Sequence, residues 1–216
     1  MTRPLDSKPW ARKALTEAGL RRAARELAAR DRDLARVLEL YGPPPLWARE
    51  PGFPTLVLII LEQQVSLASA RAALARLVAL ASPLTPESFL ALDDVALRAA
   101  GFSRQKAAYC RHLAGLVAGG GLDLEALAAM GDEEARGELL KVKGVGPWTA
   151  DIYLLMALGR ADVWPSGDLA LAVAAHEVKR LPARPTYAQL DDLAQAWRPW
   201  RAVAARLLWH HYLNQK

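Results

Sequence analysis

Asp168 follows Gly167 at the head of an apolar stretch, Leu169 to Ala175, whose spacing predicts a helix running to about Arg180. A carboxylate in that place meets free N–H groups and the positive end of the helix dipole, which stabilise its charge. It is either a plain N-cap or an anion held ready to stabilise a developing cation, and the residue by itself favours the cap. Upstream, Lys143-Gly144-Val145-Gly146 sets two glycines at alternate positions between two helical stretches, Glu138 to Val142 and Trp148 to Leu158. Pro147 suits a first helical position, and Gly159 suits a stop. The glycines allow a close backbone approach, and the second helix begins with outward N–H groups, so the turn suits a phosphate oxygen. Lys141 and Lys143 add charge beside it. An ordinary helix–helix turn accounts for the same glycines equally well.

Other chemistries find less support. His112, His176, His210 and His211 show no metal-ligand spacing with Cys110, so no zinc site is expected. A single cysteine excludes an intrachain disulfide and a four-cysteine iron–sulfur cluster, and it fits a reducing compartment.

The elements around these residues read as helix throughout, with no strand-like alternation and no internal repeat. Helices are expected over 7–18 and 20–29, broken near Gly19, and over a third segment capped by Asp31 or Asp33 and ending at Tyr41-Gly42. Gly42-Pro43-Pro44-Pro45 marks a linker. A helix from Pro54 buries Leu56, Ile59, Ile60 and Leu61 and ends near Glu62 to Val65, after which Ser66 caps another. Thr85, Asp93 or Asp94, Ser103, Asp123 and Asp132 open further helices. Phe102 and Tyr109 are expected in the core. The last two helices run from Thr186 to Trp197 and from Pro199 to about Tyr212.

With 216 residues, 52% of them hydrophobic, the chain can bury a good core. Its longest apolar run, Leu56 to Leu61, is far too short to cross a bilayer, and the first ten residues lack the apolar core of a signal peptide. The net charge of +5 is uneven: residues 1–50 carry 11 basic against 7 acidic side chains, 51–168 carry 10 against 13, and 169–216 carry 7 against 3. This permits phosphate binding without requiring it, since arginines on solvated helix faces give the same balance.

V-K-G-V-G-P-W-T-A-D followed by D-V-W-P-S-G-D-L-A-L resembles the helix-hairpin-helix DNA glycosylases, with their Gly/Pro-rich loop and Asp. Leu61–Ser66 (LEQQVS), Gly101–Tyr109 (GFSRQKAAY) and Trp197–Ala204 (WRPWRAVA) extend the resemblance, in one order, over about 54–212. Within the superfamily the chain is most similar to the AlkA-type branch, the 3-methyladenine DNA glycosylases II. The resemblance implies an all-α fold of two helical lobes with a cleft between them and the hairpin at the cleft. One lobe is expected over 54–160, and the other over 1–53 together with 161–216. About 50 residues precede Pro54 and read as helix, so the N-terminal α/β domain of the larger enzyme of this branch is not expected.

The same resemblance implies a monofunctional glycosylase that removes alkylated purines, of the 3-methyladenine and 7-methylguanine type, by base flipping in base-excision repair. Asp168 would be the catalytic carboxylate. Lys143, Gly144, Val145, Gly146 and Thr149 would hold the DNA phosphate. Gln63 and Gln64 would supply the wedge, where an apolar residue is common in the family, so Gln departs from the pattern. Trp148, Trp209, Ile152 and Tyr153 would line the base pocket. The register puts Ile152 where a Tyr is frequent. Strand-nicking relatives place a Schiff-base lysine at the position of Trp148, hence no lyase activity is expected. Trp197 and Trp200 read as packing. No cofactor is required, although a structural monovalent cation held by the carbonyls of Leu140, Val142 and Val145 is in keeping with the family. The expected partner is double-stranded DNA with alkylated bases, bound by a cytoplasmic, nucleoid-associated monomer with no membrane contact. Three rivals remain: a same-fold glycosylase for another damaged base, a non-catalytic lesion binder, and a hairpin module of a polymerase, ligase or nuclease.

Overall fold

The computed structural model describes residues 14–215 and, among them, contains twelve α-helices, one 3-10 turn and no strand. They divide into two compact units, 49–153 and 14–48 with 154–215, and the division falls inside one helix. The expected boundaries at 54 and 160 thus lie several residues from the observed ones. No helix of the described residues is long and apolar enough to cross a membrane.

The continuous unit holds α3 (Phe53–Glu62), α4 (Leu67–Leu80), α5 (Pro86–Leu90), α6 (Asp94–Ala99), α7 (Arg104–Ala118), the 3-10 turn Ala126–Ala128, α8 (Asp132–Leu140) and the first part of α9 (Pro147–Met156). Helix α3 is apolar on most of its circumference, and it buries Phe53, Leu56, Val57 and Ile59 to Glu62 against α4 and α7. Phe53, Phe89 and Phe102 form an aromatic row with ring centroids 5.9 Å apart.

The discontinuous unit holds α1 (Glu17–Arg30), α2 (Arg32–Tyr41), α10 (Leu169–Val178), α11 (Tyr187–Gln195) and α12 (Arg201–Asn214). Helix α12 is buried nearly all round and packs against α1, α2, α10 and α11, which makes it the axis of this unit.

Most helix starts follow the expected caps. Asp31 rather than Asp33 caps α2, Asp93 rather than Asp94 caps α6, and Ser66, Thr85, Ser103 and Thr186 each accept a first-turn N–H. Two expectations need correction. Gly19 does not break a helix: Thr16 caps α1 by accepting from Gly19 N, so the glycine lies in the first turn, while residues 7–13 of the expected first helix lie outside the described residues. Asp132 does not cap α8 either. Gly131 is its N-cap, and Asp132 lies in a first turn with two glutamates.

Candidate DNA-repair site

In the continuous unit, the turn between α8 and α9 is held from several directions. Gln63 Nε2 donates to Gly144 O and Thr149 Oγ1, both at 2.9 Å. The main-chain N–H of Lys143 donates to His112 Nδ1 at 3.0 Å, and Val145 N donates to Val142 O. Arg136 pairs with Asp151, a carboxylate only 1% exposed, and so ties α8 to α9. Gly144 has φ +87, and a Cβ there would lie 2.1 Å from the Tyr109 ring. The close approach this glycine permits is therefore to the protein's own tyrosine. Around Gly146, by contrast, a Cβ would meet nothing within 4 Å. Among the described residues no acceptor meets the N–H of Gly144 or Gly146, whereas those of Lys143 and Val145 are engaged. The two glycine N–H groups are thus among the donors turned toward an outside anion at this helix start.

The turn between α3 and α4 faces this hairpin within the same unit. Lys106 Nζ donates to the carbonyls of Leu61 and Gln63 at 2.7 and 2.9 Å, occupying acceptors that the helix end leaves unmatched. Arg49 forms a two-pronged pair with Glu62 at 2.8 and 2.9 Å. These tethers separate the two glutamines of the expected wedge. Gln63 is drawn into the hairpin, and Gln64 is left exposed with φ +58 at the tip. An open concavity of about 360 Å³ lies beside it, lined by Gln63, Gln64, Gln105, Lys106, Tyr109 and Gly144 to Gly146. Tyr109 is accordingly half-buried at that surface, not in the core.

Along α9, Trp148 is half-buried, while Thr149, Ile152 and Tyr153 are 3%, 2% and 0% exposed. The Tyr153 hydroxyl accepts from Gly52 N at 3.0 Å, and burial pushes its pKa up to about 12. Ile152 and Tyr153 therefore present almost no surface to a ligand, because the α9 face that bears them packs inward. Thr149 is likewise inward, bonded to Gln63. Lys141 pairs with Glu138 at 2.7 Å and Lys143 is exposed. The carbonyls of Leu140, Val142 and Val145 offer only main-chain oxygens, with Val142 O already accepting from Val145 N. That donor set suits a weakly held hard cation and no transition metal.

In the discontinuous unit the loop that delivers Asp168 is anchored at each step. Arg198 and Arg201 both bind Asp162, at 2.9 and 3.1 Å, and Ala202 N donates to Ala161 O. Trp164 donates to Asp191 at 3.0 Å and packs on Trp197 with centroids 5.5 Å apart, and Ser166 Oγ reaches the other Asp191 oxygen at 2.6 Å. Trp197 in turn donates to Asp31, which also receives Lys179 at 2.7 Å. Burial alone would raise the pKa of Asp31, but Lys179, Trp197 and the Leu34 N–H together hold it below the usual value. The W-R-P-W-R segment thus clamps the D-V-W-P-S-G-D loop, a role its sequence does not announce. Trp200 donates to Glu26. Both Trp197 and Trp200 are structural.

Gly167, at φ +85, turns the chain into α10, and Asp168 caps it: Oδ1 accepts from Leu171 N at 2.9 Å and from Trp209 Nε1 at 3.3 Å. Asp168 is half-buried and Trp209 is 8% exposed. The same oxygen that closes the helix also binds the indole. Trp47 packs edge-to-face on Trp209 at 6.4 Å. Its only signal in the sequence is an aromatic residue just after a proline run, which does not mark it as part of a site.

Residues 57–199 match the model of the HhH-GPD superfamily base excision DNA repair proteins. The chain belongs to that superfamily. It is 27% identical over 216 residues to DNA-3-methyladenine glycosylase 1 of Schizosaccharomyces pombe, covering 97% of this chain and 92% of that one. It is 33% identical over 124 residues to a putative DNA-3-methyladenine glycosylase of Bacillus subtilis, covering 57% of this chain. That match spans 43% of the Bacillus protein's length. Among solved structures, the fission yeast 3-methyladenine DNA glycosylase in complex with abasic DNA superposes with a TM-score of 0.79 at 28% identity, covering 87% of this chain and 95% of that one. The all-helical architecture is that of HhH-GPD glycosylases.

Proposed function

We propose that this HhH-GPD protein is a monofunctional DNA glycosylase that hydrolyses the N-glycosidic bond of alkylated purines in double-stranded DNA. The observation that carries the reading is the Asp168 carboxylate, presented at the head of α10 on a clamped loop and oriented by the Leu171 N–H and the Trp209 indole. The family membership and the 3-methyladenine glycosylases among the similar proteins support the substrate class.

Methylation at N3 or N7 leaves a purine cationic, so the base is already a good leaving group. As its bond to C1′ breaks, the bonding pair goes to the base, which departs neutral, and positive charge builds on the sugar. An ionised Asp168 stabilises that charge and orients a water whose oxygen bonds to C1′. The water's proton is lost, and an abasic site remains. Exposing the base to this chemistry requires flipping it from the stack. The N–H groups of Gly144 and Gly146 would grip a phosphate at the start of α9, with exposed Lys143 adding charge. Gln64, exposed at the tip of its turn, would fill the gap. Trp148 and Trp209 are assigned the stacking of an electron-poor base. Ile152 and Tyr153 are buried in the continuous unit, and Thr149 braces the hairpin through Gln63. With Trp148 where a nucleophilic lysine would stand, base release without strand cleavage follows. A monovalent cation on the carbonyls of Leu140, Val142 and Val145 would brace the hairpin against phosphate and take no part in the chemistry. The protein is expected to act as a monomer.

The test is single-turnover release of base from a methylated duplex, comparing the parent with Asp168→Asn and treating products with and without alkali. Release should fall by roughly a hundredfold or more in the variant, with DNA affinity retained and strand breaks only after alkali. Equal rates for the two proteins would overturn the role of Asp168. Tight lesion binding without release would favour a non-catalytic binder, and breaks without alkali would mean that a lysine attacks.

A further inference from the structure

Trp47 lies between α2 and α3 with φ +49, a left-handed conformation that a bulky aromatic residue rarely adopts. Such a conformation persists where the surroundings over-determine it, and α12 supplies those surroundings. Arg206, 0% exposed, donates from Nε to the carbonyl of Leu46 at 2.9 Å and from Nη1 and Nη2 to the carbonyls of Ala202 and Leu155. Burial brings the pKa of this guanidinium down to about 10. One turn further on, His210 bonds Tyr41 O at 3.1 Å and sets its ring 6.4 Å from that of Trp47. The segment before Trp47 is thus pinned by a deeply buried cation, and the indole is delivered edge-on to Trp209, with an interplanar angle of 71°. All of these residues belong to the discontinuous unit.

What the indole meets matters more than the strain itself. Trp209 Nε1 reaches Asp168 Oδ1 at 3.3 Å, at the long end for such a bond. A small rotation of Trp209 therefore loses the contact. We propose that Trp47 is a positioning residue, whose ring holds Trp209 in the orientation from which the indole N–H reaches the Asp168 carboxylate. This rests on the reading of Asp168 as the catalytic group. Trp47 acts through Trp209, so its loss slows base release more than it lowers DNA affinity.

The experiment combines Trp47→Ala and Trp47→Phe with Trp209→Phe, which keeps a ring but lacks the donor. Three quantities are measured: single-turnover release from methylated DNA, DNA affinity, and the ¹⁵N–¹H indole resonance of Trp209. Trp47→Ala should slow release about tenfold, the size of a lost hydrogen bond to a charged group, and Trp47→Phe should restore most of it. On the Trp209→Phe background the same change should cost less than about twofold. The Trp209 indole resonance should move toward its position in Asp168→Asn. An equal slowing on both backgrounds, or a resonance that does not move, overturns the proposal. Should Trp47→Ala fail to fold, Trp47→Leu keeps the bulk without the aromatic edge and is judged by the same outcomes. If the parent releases no methylated purine, the assignment of Asp168 fails, while the resonance still decides whether Trp47 orders Trp209.

Discussion

The two units build their functional features in opposite ways. In the continuous unit the hairpin offers main-chain donors, the N–H groups of Gly144 and Gly146, and three side chains shape the turn: Gln63 from one side, His112 from another, the Tyr109 ring beneath. In the discontinuous unit the offered group is a side chain, Asp168, and it stands at the end of a chain of buried aromatics and ion pairs running from Asp31 through Trp197 and Trp164 to the loop before it. A backbone donor is aimed as soon as its turn is formed. A carboxylate has two further torsions to lose, so it needs other side chains to remove them. Binding a repetitive phosphate asks for the first kind of site, and a single reacting carbon asks for the second.

That contrast breaks most sharply at the two glycines. Gly144→Ala must push against the Tyr109 ring at a positive φ, and it should cost about 1–3 kcal/mol of stability together with DNA affinity. Gly146→Ala has open space, so unfolding in denaturant should barely change. Any loss of affinity there then measures the docking surface itself.

In the other unit, Asp162→Ala removes the carboxylate that binds both Arg198 and Arg201. It should cost about 1–3 kcal/mol in chemical denaturation, and base release should slow more than DNA affinity falls. A parallel fall in both would mean that the loop clamp and the DNA surface are not separate devices.

The glutamines give a smaller effect. Gln63→Ala should lose about 1 kcal/mol of stability, because two hydrogen bonds into the hairpin go. Gln64→Ala should leave stability unchanged and lower affinity for lesion-containing DNA in a binding titration.

The mildest test is acid. Asp31 has its pKa depressed below 3.8 in the folded protein, so its stabilisation is present above pH 3.8 and is lost as the pH falls through the folded value. Unfolding followed by circular dichroism should show a shallower loss of stability below pH 3.8 in Asp31→Asn than in the parent. An identical slope would mean that the Asp31, Lys179 and Trp197 cluster contributes nothing to this unit.

Much of the hairpin was legible because its signals are local. Gly-Val-Gly-Pro between apolar-periodic stretches specifies a turn and the start of a helix within a few residues, and Ser66, Thr85, Ser103 and Thr186 each close a helix start with an N–H three positions away. The same locality explains the misreadings. Gly19 and Asp132 carry the residue types of a break and a cap, but Thr16 and Gly131 had already set those helix starts. Gln63 and Gln64 look equivalent in sequence, and only contacts with Gly144 and Thr149, more than eighty residues on, divide them.

The sequence by itself determined the all-helical class, the hairpin with its two glycines, and a carboxylate at the head of a helix after Gly167. Each follows from backbone torsions and hydrogen bonds closed within one or two turns of chain. Only the tertiary structure decided which partners aim those groups: Tyr109 beneath Gly144, Arg198 and Arg201 on Asp162, Trp209 and Trp47 behind Asp168. Those contacts join residues far apart in the chain, and their geometry is set by how helices pack, for which the spacing of residues along the chain carries no direct record.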